Sequence, residues 1–286
     1  MIFSLFGNFD KIESCKIVDK IIDVLESSNV NLCFLKKYDK KFTGNNCKFF
    51  ETEKELFENC DMAIAVGGDG TTVKIAKNAA MFDKPTLGIN GGTLGFLSGI
   101  EKNEVNLLLN VLKNDYKLEK RIMLKATVVD KNGNEKTFHC LNDAVVSRGD
   151  FSRLINFNLT SDGRELLDVR ADGVIISTPT GSTAYSLAAG GPVLSPDLNC
   201  FVVTSICPHS LVERSTVVNS LNELVVHIVS DVDNSAILTC DGEEPVEIKQ
   251  STKIVISLSE YTAKLVKIKP DNFYEILKKK IIERGV

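Results

Sequence analysis

Residues 62–72 read Met-Ala-Ile-Ala-Val-Gly-Gly-Asp-Gly-Thr-Thr, and this stretch decides the fold of the first part of the chain. Its five apolar residues, bounded by Gly67 and Gly68, predict a short buried strand. The helical pattern of Thr72–Ala80 follows at once, so the glycines lie in a loop between a strand and a helix. Glycine lets a backbone approach a ligand closely, and the start of a helix offers unpaired N–H groups to an anion.

Strand and helix patterns alternate on both sides of this loop. Short apolar runs predict strands at Ile2–Phe6, Asn31–Leu35 and Thr86–Ile89. Apolar residues at helical spacing predict helices at Ile12–Leu25 and Glu104–Lys113. Because such alternation is typical of a parallel sheet covered by helices, we predict a Rossmann-like α/β domain over residues 1–116.

After about Lys117 the pattern changes to short strands separated by turns. The dipeptide Asn132-Gly133 lies between two of these strands, and Asn-Gly is a strong hairpin signal. The series ends with two predicted strands, Lys253–Leu258 and Ala263–Lys267. This regular spacing predicts a β-sandwich-like domain over residues 117–268.

The chain closes on a predicted helix, Asp271–Arg284, in which apolar residues recur at helical spacing. Asp271 is placed to cap the start of this helix. Lys278–Lys280 falls near its end, where cations are favoured, and is interpreted as a solvated face.

Composition excludes several classes of protein. The 286 residues are 43% hydrophobic and carry a net charge of −4, so a core is expected and a basic nucleic-acid footprint is not. The start of the chain is unlike a signal peptide, and the longest uncharged stretch, 173–196, is too rich in Gly, Pro, Ser and Thr to span a membrane. The 8 cysteines form no CxxC pair. We therefore expect a cytoplasmic protein with free thiols and no membrane partner.

Asp69 lies inside the first glycine loop, where a carboxylate would repel a bare phosphate. It fits a site in which it holds a metal, or accepts a proton or hydrogen bond from a hydroxyl group. The alternative is a tight turn in which Asp69 only caps the following helix. Neither a GxxxxGK[ST] loop nor a GxGxxG fingerprint is present, so the two commonest phosphate-binding motifs are excluded.

Two more segments combine glycine with polar residues. Gly88–Phe96 follows a predicted strand, and two consecutive loops of this kind build one crevice. Arg170–Pro192 runs from a strand into a segment rich in hydroxyl groups and glycine. Hydroxyl and backbone groups suit the polar edges of a base or amide, and Tyr185 offers a stacking face. A serine hydrolase is disfavoured because no GxSxG elbow is present.

These motifs together resemble the NAD kinase family. Gly67-Gly68-Asp69-Gly70 is similar to its GGDG motif, which diacylglycerol-type lipid kinases and phosphofructokinases share. Asn142-Asp143 resembles the second motif, and residues 170–192 resemble the long third motif almost throughout. Two shorter segments, Cys207–Leu211 and Cys240–Gly242, are further matches.

The resemblance implies a reaction in which ATP, or in some members polyphosphate, phosphorylates the 2′-hydroxyl of the adenosine ribose of NAD to give NADP. It also implies two domains, with the last helix, within residues 269–286, returning to the first domain. Mg²⁺ is the expected ion, although no metal ligand is assigned with certainty. Because the chain has no P-loop lysine, this ion is expected to neutralise much of the phosphate charge. A homodimer or homotetramer is common in the family.

The family's functional residues carry over position by position. Asp69 matches the catalytic carboxylate, and the donor-phosphate loop matches Gly67, Gly68, Gly70 and Thr71. The positions that match the NAD-binding site are Asp69, Gly70, Phe96, Asn142, Asp143, Arg170, Asp172, Thr180, Thr183, Ala184 and Tyr185. Asp143 stands where other members have Glu, and is one methylene shorter. Arg170 matches a position associated with preference for oxidised NAD, and Asp172 one near the nicotinamide end. His209 stays open between a structural role and a binding role.

Two other functions compete with this interpretation. A lipid kinase sharing the GGDG loop would need an apolar or basic membrane-facing surface, which the balanced charge gives little reason to expect. A non-catalytic sensor would bind a dinucleotide tightly without turning it over.

Overall fold

The computed structural model describes residues 1–92, 95–149, 154–210, 212–229, 236–248, 252–270 and 273–284. The chain divides into two compact units, one of residues 1–120 with 262–286 and one of residues 121–261. The elements up to residue 112 are, in chain order, β1 (Ile2–Gly7), α1 (Ile12–Leu25), β2 (Asn31–Leu35), β3 (Cys47–Phe50), α2 (Glu53–Glu58), β4 (Met62–Gly67), α3 (Asp69–Ala80), β5 (Pro85–Asn90), β6 (Ile100–Glu101) and α4 (Leu108–Leu112).

Strands β1 to β5 form the predicted parallel sheet, in the order β5-β4-β1-β2-β3. The chain passes from β1 to β2 on one side and later returns to the other side of β1 as β4. The strand order therefore reverses between β1 and β4. At such a switch point, an open α/β sheet leaves a crevice beyond the carboxyl ends of its strands.

Most elements of this unit follow the sequence prediction. Helix α1 has the predicted bounds and buries Ile17, Val18 and Ile21 on its inner face. The predicted helix Glu104–Lys113 is instead a 3₁₀ turn, Val105–Leu107, that leads into the short α4. Strand β3 was not predicted, because its four residues stand among polar and glycine-containing neighbours that mask the apolar pattern.

The later elements are mainly strands. In chain order they are β7 (Lys117–Val129), β8 (Glu135–Cys140), β9 (Asp143–Arg148), β10 (Ile155–Ser161), β11 (Arg164–Ala171), β12 (Gly173–Ser177), α5 (Tyr185–Ala188), β13 (Cys200–Ile206), β14 (Thr216–Asn219), β15 (Leu224–Val229), β16 (Ala236–Cys240), β17 (Val246–Ile248), β18 (Lys253–Lys267) and α6 (Phe273–Arg284).

Two antiparallel layers make up the second unit. One is a six-stranded sheet in the order β14-β13-β12-β9-β16-β17, and the other contains β11-β10-β15 and the first part of β18. Side chains from both layers meet in one apolar core, which includes Val146 and Val174 from the first and Phe157 and Ile254 from the second. The predicted β-sandwich is thereby confirmed.

Local signals succeeded and failed for identifiable reasons. The Asn132-Gly133 turn joins β7 to β8 as predicted, with Gly133 at a positive φ of 81°. The two predicted strands at residues 253–258 and 263–267 are one continuous strand, β18. Polar residues interrupt its apolar pattern, but Tyr261 and Thr262 are good strand formers and need no turn between them.

The last helix, α6, belongs to the same unit as the GGDG loop, as the resemblance implied. Its expected cap, Asp271, lies outside the described residues. In the part of the chain that the structure describes, no helix is both long and apolar enough to cross a membrane. Four of the cysteines are buried: Cys33, Cys60, Cys140 and Cys240. Burial raises the pKa of the Cys33 thiol to about 11.

Candidate active site

Asp69 is the first residue of α3, but its carboxylate turns away from the helix. Gly68 is the N-cap residue, and no side chain caps α3. Instead, Asp69 Oδ2 accepts the backbone N–H of Phe96 at 3.0 Å, and Oδ1 accepts that of Leu97 at 3.1 Å. The alternative in which Asp69 merely caps the helix is therefore wrong. The second glycine segment holds this carboxylate in place, at the carboxyl end of the parallel sheet.

A lysine from the end of the chain completes the surroundings of Asp69. Lys280 Nζ donates to Asp69 Oδ2 at 3.0 Å and lies 4.0 Å from the centre of the Phe96 ring. The side chain of Lys280 is 11% exposed, and that of Asp69 is 32% exposed. Lys278 and Lys279 are exposed, as the interpretation of Lys278–Lys280 as a solvated face requires, but Lys280 contradicts it. Its direction on α6 turns it inward, which a run of three lysines did not reveal.

The glycines around Asp69 fall into two groups. A Cβ added at Gly68 or Gly70 would meet no atom within 4 Å, so both positions face open space. A Cβ at Gly67 would lie 2.5 Å from Thr71 Oγ1, and one at Gly95 would lie 2.6 Å from Asp69 Oδ1. Gly67 and Gly95 are thus required by packing, while Gly68 and Gly70 leave room for a ligand beside the start of α3.

We expect Gly95→Ala to displace the Asp69 carboxylate, because the new methyl group would occupy the space of Oδ1. A misplacement of this kind costs about 10- to 100-fold in kcat. Steady-state kinetics per folded molecule measures the effect. The matched control is Gly99→Ala, whose Cβ would collide with Leu87 and the Val266 carbonyl, away from Asp69. Gly99→Ala should lower the melting temperature and spare kcat. Equal kcat for Gly95→Ala and the parent would show that the contact does not hold Asp69.

A cavity of about 490 Å³ lies at the switch point between β1 and β4, where it is lined by the end of β1 and the start of α3. Gly7–Asp10, at the carboxyl end of β1, forms one wall, and Gly70, Thr71 and Lys74 of α3 form another. Lys37 also lines it. The carboxylates of Asp10 and Glu53 line it as well, so the charged side chains of the cavity balance. The backbone N–H groups at the start of α3 are therefore its main feature that attracts an anion.

Glu101 brings a second carboxyl group near Asp69. Burial raises the pKa of Glu101 above its usual range, and the negative charge of Asp69 adds to that rise. Asn90 Nδ2 donates to Glu101 Oε2 at 2.8 Å and opposes it. Among the described residues, however, no group of three or more His, Cys, Asp or Glu side chains could hold a metal ion.

In the second unit, three sequence motifs meet at one edge of the six-stranded sheet. Strand β9 pairs on its two sides with β12 and β16, both antiparallel. The start of β9, at Asp143, therefore lies beside the ends of β12 and β16, at Ser177 and Cys240. The sheet thus brings Asn142-Asp143, the third motif and Asp241 together although they are far apart in sequence.

Asp241 shapes the turn that carries Asn142 and Asp143. Its carboxylate accepts the backbone N–H of Leu141 at 2.9 Å, of Asn142 at 2.7 Å and of Asp143 at 3.1 Å. On the other side, Thr178 Oγ1 donates to the Leu141 carbonyl at 2.6 Å. Charge-assisted hydrogen bonds of this kind are the strong ones, so the direction of the Asn142 and Asp143 side chains is set by these contacts.

Asp143 is itself buried, with 5% of its surface exposed. Burial raises the pKa of its carboxyl group to about 7, and the neighbouring Asp241 contributes to the rise. Near neutral pH the group therefore exists in both the neutral and the charged form. Its neutral form can donate a hydrogen bond as well as accept one.

The third motif divides into buried and exposed residues. Thr180 is buried and accepts a hydrogen bond from Arg121 Nη1 at 3.2 Å, and Ser182 Oγ donates to the Pro179 carbonyl at 2.7 Å. Many of its hydroxyl groups thus hold the segment together, a role that the sequence did not indicate. Ala184 and Tyr185 are exposed, and Tyr185 shows 47% of its surface.

The remaining predicted residues lie where β11 leads into β12. Asp172 Oδ1 lies 3.1 Å from Arg148 Nε in an ion pair. Arg170 is exposed, and its carbonyl accepts the backbone N–H of His209 at 2.8 Å. The His209 side chain is exposed, so the residue contributes to the fold through its backbone while its ring stays accessible.

Sequence reasoning missed three residues that shape these sites: Gly95, Asp241 and Lys280. Asp241 had a signal, since it lies in the Cys240–Gly242 match and adopts a positive φ of 51°. Gly95 lies in a segment already recognised as glycine-rich. Lys280 had none, because its partner Asp69 is more than 200 residues away in sequence.

Known protein families match both units. The ATP-NAD kinase N-terminal domain matches residues 3–116, and the ATP-NAD kinase C-terminal domain matches residues 141–268. The NAD kinase of Ruminiclostridium cellulolyticum is 33% identical over 97% of this chain and 96% of its own length. The NAD kinase of Carboxydothermus hydrogenoformans is 40% identical over 80% of this chain and 82% of its own.

Solved structures show the same similarity. Yeast NADH kinase complexed with NADH superposes with a TM-score of 0.88 and 25% identity, covering 97% of this chain and 86% of that one. An NAD kinase from Archaeoglobus fulgidus in complex with ATP superposes with a TM-score of 0.74 and 26% identity, covering 100% of both chains.

Proposed function

The chain belongs to the NAD kinase family, and from that premise we propose how its own residues carry out the phosphorylation of NAD by ATP. The observation that carries the proposal is the geometry of Asp69. A carboxylate has about four lone-pair positions. Two backbone N–H groups and the Lys280 ammonium take three of them, on a side chain that is still 32% exposed. One acceptor position is left for a hydroxyl group.

In the proposed reaction, Asp69 accepts the proton of the adenosine 2′-hydroxyl. The 2′-oxygen forms a bond to the γ-phosphorus as the bond from that phosphorus to the β–γ bridging oxygen breaks. ADP leaves, and the phosphoryl group remains on the ribose of NADP. Positioning and charge stabilisation supply most of the catalysis in such transfers, so no nucleophilic side chain is needed.

The switch-point cavity is the proposed donor site. The open positions beside Gly68 and Gly70 let phosphate oxygens approach the backbone, and the first turn of α3 directs N–H groups toward them. Lys37 and Lys74 line the same cavity and can pair with phosphate oxygens, although Asp10 and Glu53 also line it. These groups would serve a chain of phosphates in either ATP or polyphosphate, so use of polyphosphate stays a prediction.

The edge formed by β9, β12 and β16 is the proposed NAD site. Asn142 and Asp143 present an amide and a carboxyl group on a turn that Asp241 holds, which suits the hydroxyl and amine groups of adenosine. Tyr185 offers an exposed ring for stacking, and Thr183 and Ala184 stand beside it. Asp172 and Arg170 are proposed to contact the nicotinamide end.

Mg²⁺ is proposed as the metal ion, bound chiefly by donor phosphates and water. This arrangement leaves the free acceptor position of Asp69 to the hydroxyl group, since Mg²⁺ keeps several waters and is bound largely through substrate phosphates. When bound, the ion would neutralise phosphate charge. A cytosolic location and a homodimeric or homotetrameric assembly also stay predictions of the resemblance.

The experiment that tests the proposal is a screen of donors and acceptors. Purified protein is incubated with NAD or NADH and with Mg-ATP or polyphosphate, and the product is identified by chromatography and by the position of its phosphate. NADP from NAD and ATP is the expected product. Tight dinucleotide binding without turnover under every donor would instead favour the sensor, and labelled diacylglycerol as the preferred acceptor would favour the lipid kinase.

Tyr185→Ala is expected to raise the KM for NAD by about 5- to 100-fold if the ring stacks on the ligand. The melting temperature should change little, because 47% of the Tyr185 surface is exposed. The matched control is Leu198→Ala in the same unit, since Leu198 is exposed to 45%. An unchanged affinity of Tyr185→Ala for NAD would contradict the stacking role.

A further inference from the structure

We infer that Lys280 is a positioning residue for phosphoryl transfer, acting through Asp69 from the last helix of the chain. The inference rests on the proposed role of Asp69. It assigns a function to α6, which the proposal otherwise leaves as packing. The carboxylate at the centre of the GGDG loop is then held by groups from two other parts of the sequence, Phe96–Leu97 and Lys280.

Lys280 contacts both the carboxylate of Asp69 and the aromatic ring of Phe96. Its ammonium donates to Asp69 Oδ2 at 3.0 Å and lies 4.0 Å from the Phe96 ring centre. The backbone N–H of Phe96 donates to the same oxygen of Asp69. Phe96 therefore contacts both partners, its ring binding the cation and its backbone binding the anion. This triangle, Asp69-Phe96-Lys280, fixes the carboxylate from two directions.

Burial separates Lys280 from an ordinary surface lysine. Among the described residues, only two lysines are buried, Lys77 and Lys280. A lysine is almost never buried unless it has a partner, and an ion pair at an exposed surface is worth little. The pair of Lys280 with Asp69 is largely shielded from water on the lysine side, with 11% of that side chain exposed. Removing one partner of such a pair therefore leaves a partly buried charge without a partner.

The positive charge of Lys280 also offsets the repulsion expected between Asp69 and the donor phosphates. An isolated carboxylate would repel the incoming phosphates of the donor, and the loop itself contains no lysine. With Lys280 beside it, the local charge of the two groups is balanced. The ammonium thereby supplies part of the neutralisation of the phosphate charge, much of which was expected to come from a metal ion. It also keeps Asp69 oriented with one acceptor position open.

The test compares Lys280→Met, which removes the charge at nearly constant length, with Lys280→Arg, which keeps it. We expect Lys280→Met to lower kcat by about 10- to 100-fold and to change the KM for NAD by less than about threefold. Most of the residues proposed to bind NAD lie in the other unit and keep their contacts. Phe96, which also matches an NAD-binding position, keeps its backbone hydrogen bond to Asp69 and loses only the ammonium group at its ring. Lys280→Arg should recover most of kcat. Lys278→Met is the matched control, because Lys278 is an exposed residue of the same helix.

A purely structural role would give a different pattern. If Lys280 only anchored α6, Lys280→Met would lower the stability of the protein, and the total activity would fall only as the folded fraction falls. The kcat per folded molecule would stay within about twofold of the parent. That result would overturn the inference. If Lys280→Met does not fold, the test is made with Lys280→Ala, whose kcat is measured with and without added methylammonium or ethylammonium. Saturable recovery of kcat supports the inference, and no recovery in folded protein contradicts it.

Asp69→Asn, assayed in parallel, separates this inference from the proposed function. An inactive Asp69→Asn beside a fully active Lys280→Met would reject the role of Lys280 and leave Asp69 as the base. A fully active Asp69→Asn would reject the role of Asp69 as the base, and with it the inference on Lys280. The proposed function itself fails only if the parent protein forms no NADP from NAD and Mg-ATP.

Discussion

Asp69→Asn is expected to lower kcat by about 10²- to 10⁴-fold while the protein stays folded, because a positioned general base contributes about that much. The amide keeps nearly the same shape. It cannot take a proton from the 2′-hydroxyl, and its NH₂ group has no negative charge to offer Lys280. Initial rates with NAD and Mg-ATP measure the loss. Calorimetric titration with NAD and a thermal melt show whether binding and fold survive.

The matched control for this substitution is Asp83→Asn. Asp83 is also paired with a lysine of the same unit, Lys264, at 2.6 Å, but 84% of its side chain is exposed. Its φ of 57° is one that asparagine tolerates. Asp83→Asn should therefore keep the parent kcat. If Asp69→Asn made NADP at the parent rate, the base in this enzyme would have to be another group.

Asp143→Asn is expected to stabilise the ligand-free protein at alkaline pH and to have little effect near pH 4. The pKa of Asp143 is raised from 3.8 to about 7, chiefly by burial. Between those two pH values the folded protein binds more protons than the unfolded chain. The free energy of unfolding therefore falls as pH rises from about 4 to about 7. Above pH 7 the buried carboxyl group is charged, and the whole loss of stability that this causes is present.

The size of this cost follows from the same values. A tenfold change in an acid constant corresponds to about 1.4 kcal/mol, so a rise from 3.8 to about 7 costs on the order of 4 kcal/mol. Urea unfolding at pH 4.5 and pH 8 measures the difference between Asp143→Asn and the parent. The same substitution should weaken NAD binding if the carboxyl group holds the adenosine portion.

The control for the pH effect is Asp168→Asn, which removes an exposed carboxylate of the same unit. It should leave the pH dependence of stability unchanged. A constant difference in stability between Asp143→Asn and the parent at pH 4.5 and pH 8 would contradict the prediction. Asp143 would then be charged at little cost in the folded protein.

Local sequence patterns predicted the elements that have a local cause. Helix α1 and strand β2 have the predicted bounds, since their apolar spacing is unambiguous. The hairpin at Gly133 follows from the positive φ that its turn requires. The patterns failed at β3, where polar neighbours mask the apolar pattern of a short strand. They also failed at β18, where polar residues interrupt the pattern of a long one.

The sequence by itself determined the two-unit plan, the family and the positions of the candidate residues. The spacing of apolar residues and the composition of the loops are local properties, so they can be read from neighbouring residues. Only the tertiary structure decided which groups meet. Lys280 reaches Asp69, and Asp241 takes the N–H groups of the turn before β9, through contacts between residues far apart in sequence. Such contacts depend on strand order and on the direction in which a helix faces. A list of residue types contains neither, so a lysine that looked solvated becomes the partner of the proposed catalytic carboxylate.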